Sequence, residues 1–243
     1  MSPAHIRVKP VDVASRVIVA GDPARVKQIA SMLSDVKLVN ENRGFFIYTG
    51  KYKDTPISVA VHGIGAPSLA IVLEELVMLG AKVIVRLGTA GAFIPDLHIG
   101  DVVIPTGAAY HVGGTLGMYF SEHVALSCVP DFNLLRSVVT ELEVHNISYR
   151  AGPVFSSDAF YAENPAFAKT WANRGYLAVE MECAALFALG LLRKVHCAAV
   201  LVISDNLVVS EEKELRTAKD LEKYIMSITP AILDALVKFK YNS

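Results

Sequence analysis

The chain has 243 residues, 53% of them hydrophobic, with 23 Lys and Arg against 24 Asp and Glu, and its mean hydropathy is +0.41. That is apolar material for one large core, and the near-balanced charge of −1 leaves no basic stripe suited to nucleic acid and no charged tail. No basic stretch followed by an apolar one opens the chain and no apolar run is long enough to span a bilayer, so the expectation is a cytoplasmic protein with no membrane partner and a single domain, 1–243.

Arg16 to Ala20 is predicted as the first strand, and Gly21-Asp22-Pro23-Ala24-Arg25 opens a helix running to about Leu33. Arg25 falls in the first helical turn, where the helix dipole disfavours a cation unless an anion binds beside it. Asn40 to Gly44 reads as a polar turn. Phe45 to Tyr52 and Ile57 to Val61 read as a hairpin through Lys53-Asp54-Thr55-Pro56. His62-Gly63-Ile64-Gly65-Ala66-Pro67-Ser68 holds only a partial GxGxxG, because Ser68 stands where Gly or Ala is wanted. A helix from Ser68 to Leu79 ends at Gly80.

The strand Val83 to Leu87 leads into Arg86-Leu87-Gly88-Thr89-Ala90-Gly91, read as a strand followed by a ligand-binding turn. Asp101 to Pro105 is another strand, followed by a long glycine-rich loop, Thr106 to Gly117, that carries Tyr110 and His111. Asp131 caps a helix from Phe132 to about His145. Tyr149 to Phe155 is a strand, Ser156 to Tyr161 a loop, and Asn164-Pro165 the start of a helix. Leu177 to Met181 is a strand continued by the helix Cys183 to Leu192, and Cys197 to Ser204 is a buried strand ending at Asp205-Asn206. Leu207 to Thr217 reads as a charged lid, and Lys219 to Phe239 as a closing helix that Pro230 kinks.

Alternating strands and helices predict an α/β/α sandwich around a mixed, largely parallel central sheet. In such sheets ligands bind at the carboxyl ends of strands, where the polar clusters of this chain fall. Arg25, Arg86 and Thr89 come from separate strand ends and make an anion pocket sized for inorganic phosphate. Glu182 can accept two hydroxyls, as a ribose diol requires, and Phe160 or Tyr161 can stack on a base. Asp205 ends an apolar strand, where burial raises a carboxyl pKa and suits it to general acid work. Cys128, Cys183 and Cys197 have neither CxxC nor metal spacing and read as buried thiols. Gln28 is the only Gln, a thermophile trait, and disulfides do form inside hyperthermophile cells.

The ordered set AHI, VAGDPARVK, NENRGF, HGIGAPS, RLGTAGA, FSSDAFYA, VEMECAAL and ISDN, spanning His5 to Asn206, resembles the hexameric purine nucleoside phosphorylases of the nucleoside phosphorylase superfamily, including members that take 5′-methylthioadenosine. The resemblance implies phosphorolysis of purine nucleosides to free purine and ribose 1-phosphate in purine salvage. No cofactor or metal is implied, inorganic phosphate being a co-substrate. It places Gly21, Arg25, Arg86 and Thr89 on phosphate, with Arg43 reaching the phosphate of a neighbouring subunit. It places Met181 and Glu182 on the ribose with Glu180 close by, and His5 crossing the interface to the ribose 5′ position. Phe160 lies near the base, Asp205 after Ser204 protonates purine N7, and Arg216 is the nearest counterpart of a lid arginine. The resemblance implies a homo-oligomer, a hexamer built from dimers that share active sites; His5 and Arg43, which need a second subunit to complete each site, call for at least a dimer.

Uridine phosphorylases share these phosphate motifs, but their uracil-reading Gln and Arg fall on Asn164 and Ala166, and they lack an acid at the position of Asp205. Nucleosidases lose the phosphate arginines, whereas Arg25, Arg43 and Arg86 are all present. A non-catalytic nucleoside-binding protein would be expected to have lost Asp205 or an arginine. A dinucleotide enzyme needs GxGxxG where this chain has Gly21-Asp22-Pro23.

Overall fold

In the computed structural model, residues 2–120, 122, 124–162, 165–209 and 215–241 are described. In chain order they form β1 (Arg16–Ala20), α1 (Pro23–Ala30), β2 (Ser34–Asn40), β3 (Ile47–Tyr52), β4 (Thr55–Val61), α2 (Gly65–Met78), β5 (Val83–Ala92) and β6 (Val102–Tyr110). There follow α3 (Gly114–Tyr119), α4 (Phe132–Val144), β7 (Arg150–Ser156), α5 (Pro165–Asn173), β8 (Ala178–Glu180), α6 (Cys183–Arg193), β9 (His196–Asn206) and α7 (Glu222–Lys238). Pro230 does lie inside α7.

The strands make one mixed sheet in the order β2-β3-β4-β1-β5-β8-β7-β6-β9. Five of its nine pairings are parallel. Side chains of successive strand residues point to opposite faces, and the apolar alternation builds two cores. Val17 and Val19 of β1 pack with Leu69, Leu73 and Leu76 of α2 and Leu186 of α6. Ile18 and Ala20 face α1, α4 and α7, among them Val26, Val138 and Ile232. The three layers of the expected sandwich are therefore present.

One half of the sheet closes on itself, which the sequence did not suggest. β9 runs parallel to β5 along its whole length, from Val83–His196 to Ala92–Asn206, and also pairs with β6. The ring β5-β8-β7-β6-β9 is thereby complete. On its other edge β5 pairs with β1 only through Arg86 and with β8 only from Gly91. Between those two partners the sheet forks, beside Leu87 to Ala90.

Three expectations need correction. Gly88 to Gly91 is not a turn: β5 runs on through Ala92. The predicted loop from Thr106 is strand as far as Tyr110, then the short helix α3. β2 went unseen, because its first five residues are exposed and show no apolar alternation. The expected hairpin turn is present, with Lys53 and Asp54 both left-handed (φ 47 and 62). The three cysteines are free and buried. None of the described helices is long and apolar enough to cross a membrane.

The N-terminal arm is held by one carboxylate. Glu75 of α2 accepts backbone N–H bonds from Ala4, His5 and Ile6 and a 2.8 Å bond from His5 Nδ1. Burial works to raise the Glu75 pKa, but the His5 ring and the three N–H groups hold it below the usual value. Its contribution is therefore full above the unfolded carboxyl pKa and lost as pH falls through the lower folded one. Glu75→Ala should cost about 1–3 kcal/mol near pH 7, and the deficit should shrink below about pH 4, as read by urea titration at both pH values.

Candidate active site

The fork in the sheet gathers residues from four strand ends. Arg86 is on β5, on the face toward α2 and α6, and is 4% exposed. Its Nη2 donates to Glu182 Oε2 in a very short ion pair, and its Nη1 lies 3.5 Å from Glu180 Oε2. Residues i and i+2 of a strand share a face, so a side chain at 88 would collide with this guanidinium. A Cβ on residue 88 would sit 2.5 Å from Arg86 Cζ and 2.9 Å from Nη2. Gly88 is there for the space it leaves.

Arg25 comes from the first turn of α1, behind the Asp22 cap, whose carboxylate accepts from the N–H groups of Ala24 and Arg25. It is also buried, and its Nη2 reaches Thr89 Oγ1 at 3.5 Å. Gly21 precedes the cap, so close to the next strand end that a Cβ on it would lie 2.8 Å from the Gly63 carbonyl oxygen.

The pocket brings two buried guanidiniums together with a buried histidine and two buried carboxylates. Burial lowers the Arg25 pKa to about 10, and the like charge of Arg86 adds to the effect. Arg86 is also penalised by burial, but Glu182 and Glu180 outweigh this and hold its pKa above the ordinary value. Burial acts to raise Glu182, yet Arg86 and the nearby His62 pull it below the usual carboxyl range. Among the described residues, the buried side-chain nitrogens without a hydrogen-bond partner are Arg25 Nε, Arg86 Nε and both ring nitrogens of His62. Buried donors normally find partners, and a cluster of unpaired ones beside two guanidiniums calls for an oxyanion.

The two glutamates have different tasks. Glu182 sits at the bend before α6 and accepts from the Gly65 N–H at 2.7 Å and from Arg86. Glu180, expected close by the ribose residues, has its carboxylate turned to the start of α6 and to Ser156. Its Oε2 accepts from the N–H groups of Glu182 and Cys183, both at 2.8 Å, and its Oε1 accepts from Ser156 Oγ. It therefore caps α6. Burial pushes its pKa up against the weaker pull of the more distant Arg86. Met181 lies half-buried between the two.

Asp205 follows buried Ser204 near the end of β9, opposite Gly91. Burial raises its pKa, while a 2.7 Å bond from Ser204 Oγ works to lower it. Ser204→Ala removes only the lowering influence, so the acid should stay protonated to higher pH. The alkaline limb of kcat/KM for a purine nucleoside should move upward, measured against wild type across pH 5–9. Arg216 re-enters next to this acid, its backbone N–H bonded to the Ser204 carbonyl at 3.1 Å. Of the predicted lid, residues 210–214 lie outside the described residues, as does Asn164.

The remaining expected residues stand apart in the single chain. Phe160 is exposed in a 3-10 turn, edge-on to Tyr161 at 5.1 Å. His5 is tied to Glu75, and Arg43 is exposed on a turn in the left-handed region (φ 56, ψ 21). Tyr110 and His111 line a small cavity with Ala66, Ser156, Asp158 and Ala184, beside the start of α6. The sequence reading missed His62, which had no signal beyond its place at a strand end in a glycine-rich run. Away from the pocket, Glu141, His145 and Asp234 could together hold a metal ion. Lys238 already pairs with Glu141, and Lys53 with Asp234.

The profile of the Phosphorylase superfamily matches residues 15–238. A guanosine phosphorylase of Halorubrum lacusprofundi is 37% identical over 209 residues, 86% of each chain. A purine nucleoside phosphorylase DeoD-type 1 of Shewanella oneidensis is 35% identical over 240 residues, 98% of this chain and 100% of that one. Among solved structures, a purine nucleoside phosphorylase of Toxoplasma gondii in complex with immucillin-H superposes with a TM-score of 0.86 at 26% identity, covering 97% and 95% of the two chains. A uridine phosphorylase of Vibrio fischeri ES114 gives a TM-score of 0.87 at 31% identity, covering 98% and 97%. With a profile match over most of its length and full-length relatives above 30% identity, this chain belongs to the Phosphorylase superfamily.

Proposed function

We propose that the chain is a purine nucleoside phosphorylase, and that its forked sheet seats inorganic phosphate and a purine nucleoside side by side. The unpaired, buried nitrogens of Arg25 and Arg86 carry the phosphate half of this reading. Arg25, Arg86, the Thr89 hydroxyl and the backbone of Gly21 hold the anion. Met181 and Glu182 take the ribose hydroxyls, and Phe160 and Ser204 border the base. Arg43 and His5 complete the site of a second copy, in a homo-oligomer built from site-sharing dimers and reaching a hexamer. The setting is purine salvage in the cytoplasm, without a cofactor.

Phosphate attacks C1′ of the ribose as the glycosidic bond breaks through an oxocarbenium-like state. The guanidiniums fix the nucleophile in line, which turns a bimolecular encounter into a positioned one. The anion's charge stabilises the developing cation on the sugar. Asp205, whose pKa burial raises, gives its proton to purine N7, so the base leaves neutral and ribose 1-phosphate remains. A uridine phosphorylase is the second reading, favoured by the Vibrio fischeri likeness. The raised acid at Asp205 supports purine, since a pyrimidine offers no N7 to protonate.

The test is base release from adenosine, inosine, guanosine, 5′-methylthioadenosine and uridine, each with and without phosphate. Purine release only with phosphate is expected. Release without phosphate, or preference for uridine, would overturn the reading.

A further inference from the structure

His62 ends the run of β4, its N–H bonded to the Ala20 carbonyl of β1 at 2.9 Å. Its side chain is 0% exposed, yet neither ring nitrogen makes a hydrogen bond of full geometry. The backbone of Gly63 comes close enough to act only weakly on the ring. The charged groups that act on it are Glu182, Arg86 and Arg25, drawn from three other elements. Its Cε1 faces Gly21, 3.5 Å from where a Cβ there would be. An apolar ring would fill this space without leaving polar atoms unpaired. The imidazole therefore has a use only if something polar enters the pocket.

Protonation does not supply that use. Burial drives the His62 pKa down to about 4, Arg86 and Arg25 push the same way, and Glu182 alone among the nearby charges opposes them. The ring is neutral at working pH, with one N–H donor and one acceptor nitrogen. A third cation is avoided beside two guanidiniums, while a directional donor remains.

We propose that His62 is a phosphate-positioning residue, whose neutral N–H donates to an oxygen of the anion held between Arg25 and Arg86. This rests on the phosphate reading of the pocket. The two guanidiniums supply charge, with Arg86 Nη2 already given to Glu182 and Nη1 lying near Glu180, and His62 adds a side-chain N–H from the end of β4. His62 fixes the anion's rotation from that side. It acts on the nucleophile and not on the nucleoside, so its loss should separate the two substrates.

The experiment compares wild type, His62→Phe, His62→Asn and His62→Gln, with inorganic phosphate as the probe in calorimetry and in steady-state kinetics. The expected result for His62→Phe is a rise of about 10- to 100-fold in KM for phosphate, with KM for the nucleoside within about twofold. One of the two amide variants, each keeping an N–H donor, should recover most of the loss. Unchanged phosphate KM in His62→Phe would overturn the proposal, as would parallel loss of both KM values without amide rescue. If His62→Phe does not fold, the wild-type His62 ring 15N resonances give the answer: phosphate must shift them. Wild-type protein that binds no phosphate at all in calorimetry would instead overturn the reading of the site itself, and His62's role with it.

Discussion

Gly88→Ala should cost about 10²- to 10³-fold in kcat/KM for phosphate while leaving the protein folded. The added methyl has one way to be accommodated, which is displacement of the Arg86 guanidinium that lies over residue 88. The strand backbone on either side is fixed, since β9 pairs with β5 at every residue from Val83 to Ala90. The guanidinium can swing, but only by leaving its line with Glu182. Removing one preorganised charge-stabilising donor from an active site costs about 2.7–4 kcal/mol of activation free energy, which sets the expected size of the effect. Arg86→Ala should be worse in stability, because it leaves Glu182 a buried carboxylate without its counter-ion, at a cost of about 3–5 kcal/mol. The pair of variants separates the two roles of Arg86. Phosphate saturation curves and thermal melts of both would show it, and a Gly88→Ala protein with wild-type phosphate KM would mean that the guanidinium does not hold the nucleophile.

The second large effect is expected at Asp205. Asp205→Asn keeps the shape of the side chain and removes the transferable proton, so turnover of purine nucleosides should fall about 10²- to 10⁴-fold. KM for phosphate should stay within about twofold, because the arginines are untouched. Stability should move the other way. The Asp205 pKa is raised by burial, so its ionised form is disfavoured in the folded protein, and the penalty is present at pH above that raised value. A neutral Asn escapes it, and the variant should melt at or above the wild-type temperature at pH 8. Equal losses in turnover and phosphate affinity would remove Asp205 from the role of acid.

Much of this arrangement is legible in the sequence, for definite physical reasons. β1 was placed to the residue because Val17 to Ala20 is buried on both faces and so reads as a continuous apolar run. Arg25 stands out in the sequence because a cation in a first helical turn is electrostatically unfavourable unless it serves an anion. β5 was cut short because glycines inside a strand usually mark its end, whereas here Gly88 clears space for a side chain two residues earlier. Glu180 and Glu182 could not be told apart in the sequence, since their separate duties depend on which of them meets the N–H groups of α6. His62 was hidden for a related reason: nothing local distinguishes a histidine that packs from one left unpaired in a charged pocket.

The ring of strands has a consequence for how the molecule comes into being. Its closing member, β9, is the last strand in the chain, and it brings Asp205 opposite Gly91. Every loop closed by that pairing is long, and contacts between segments so far apart in sequence form slowly. Arg25 and Arg86 lie on elements that precede β6 in the chain, whereas Asp205 arrives only with β9, between β5 and β6. Asp205 and the two arginines therefore come together only through contacts between distant parts of the chain, and a chain cut before β9 lacks Asp205 altogether.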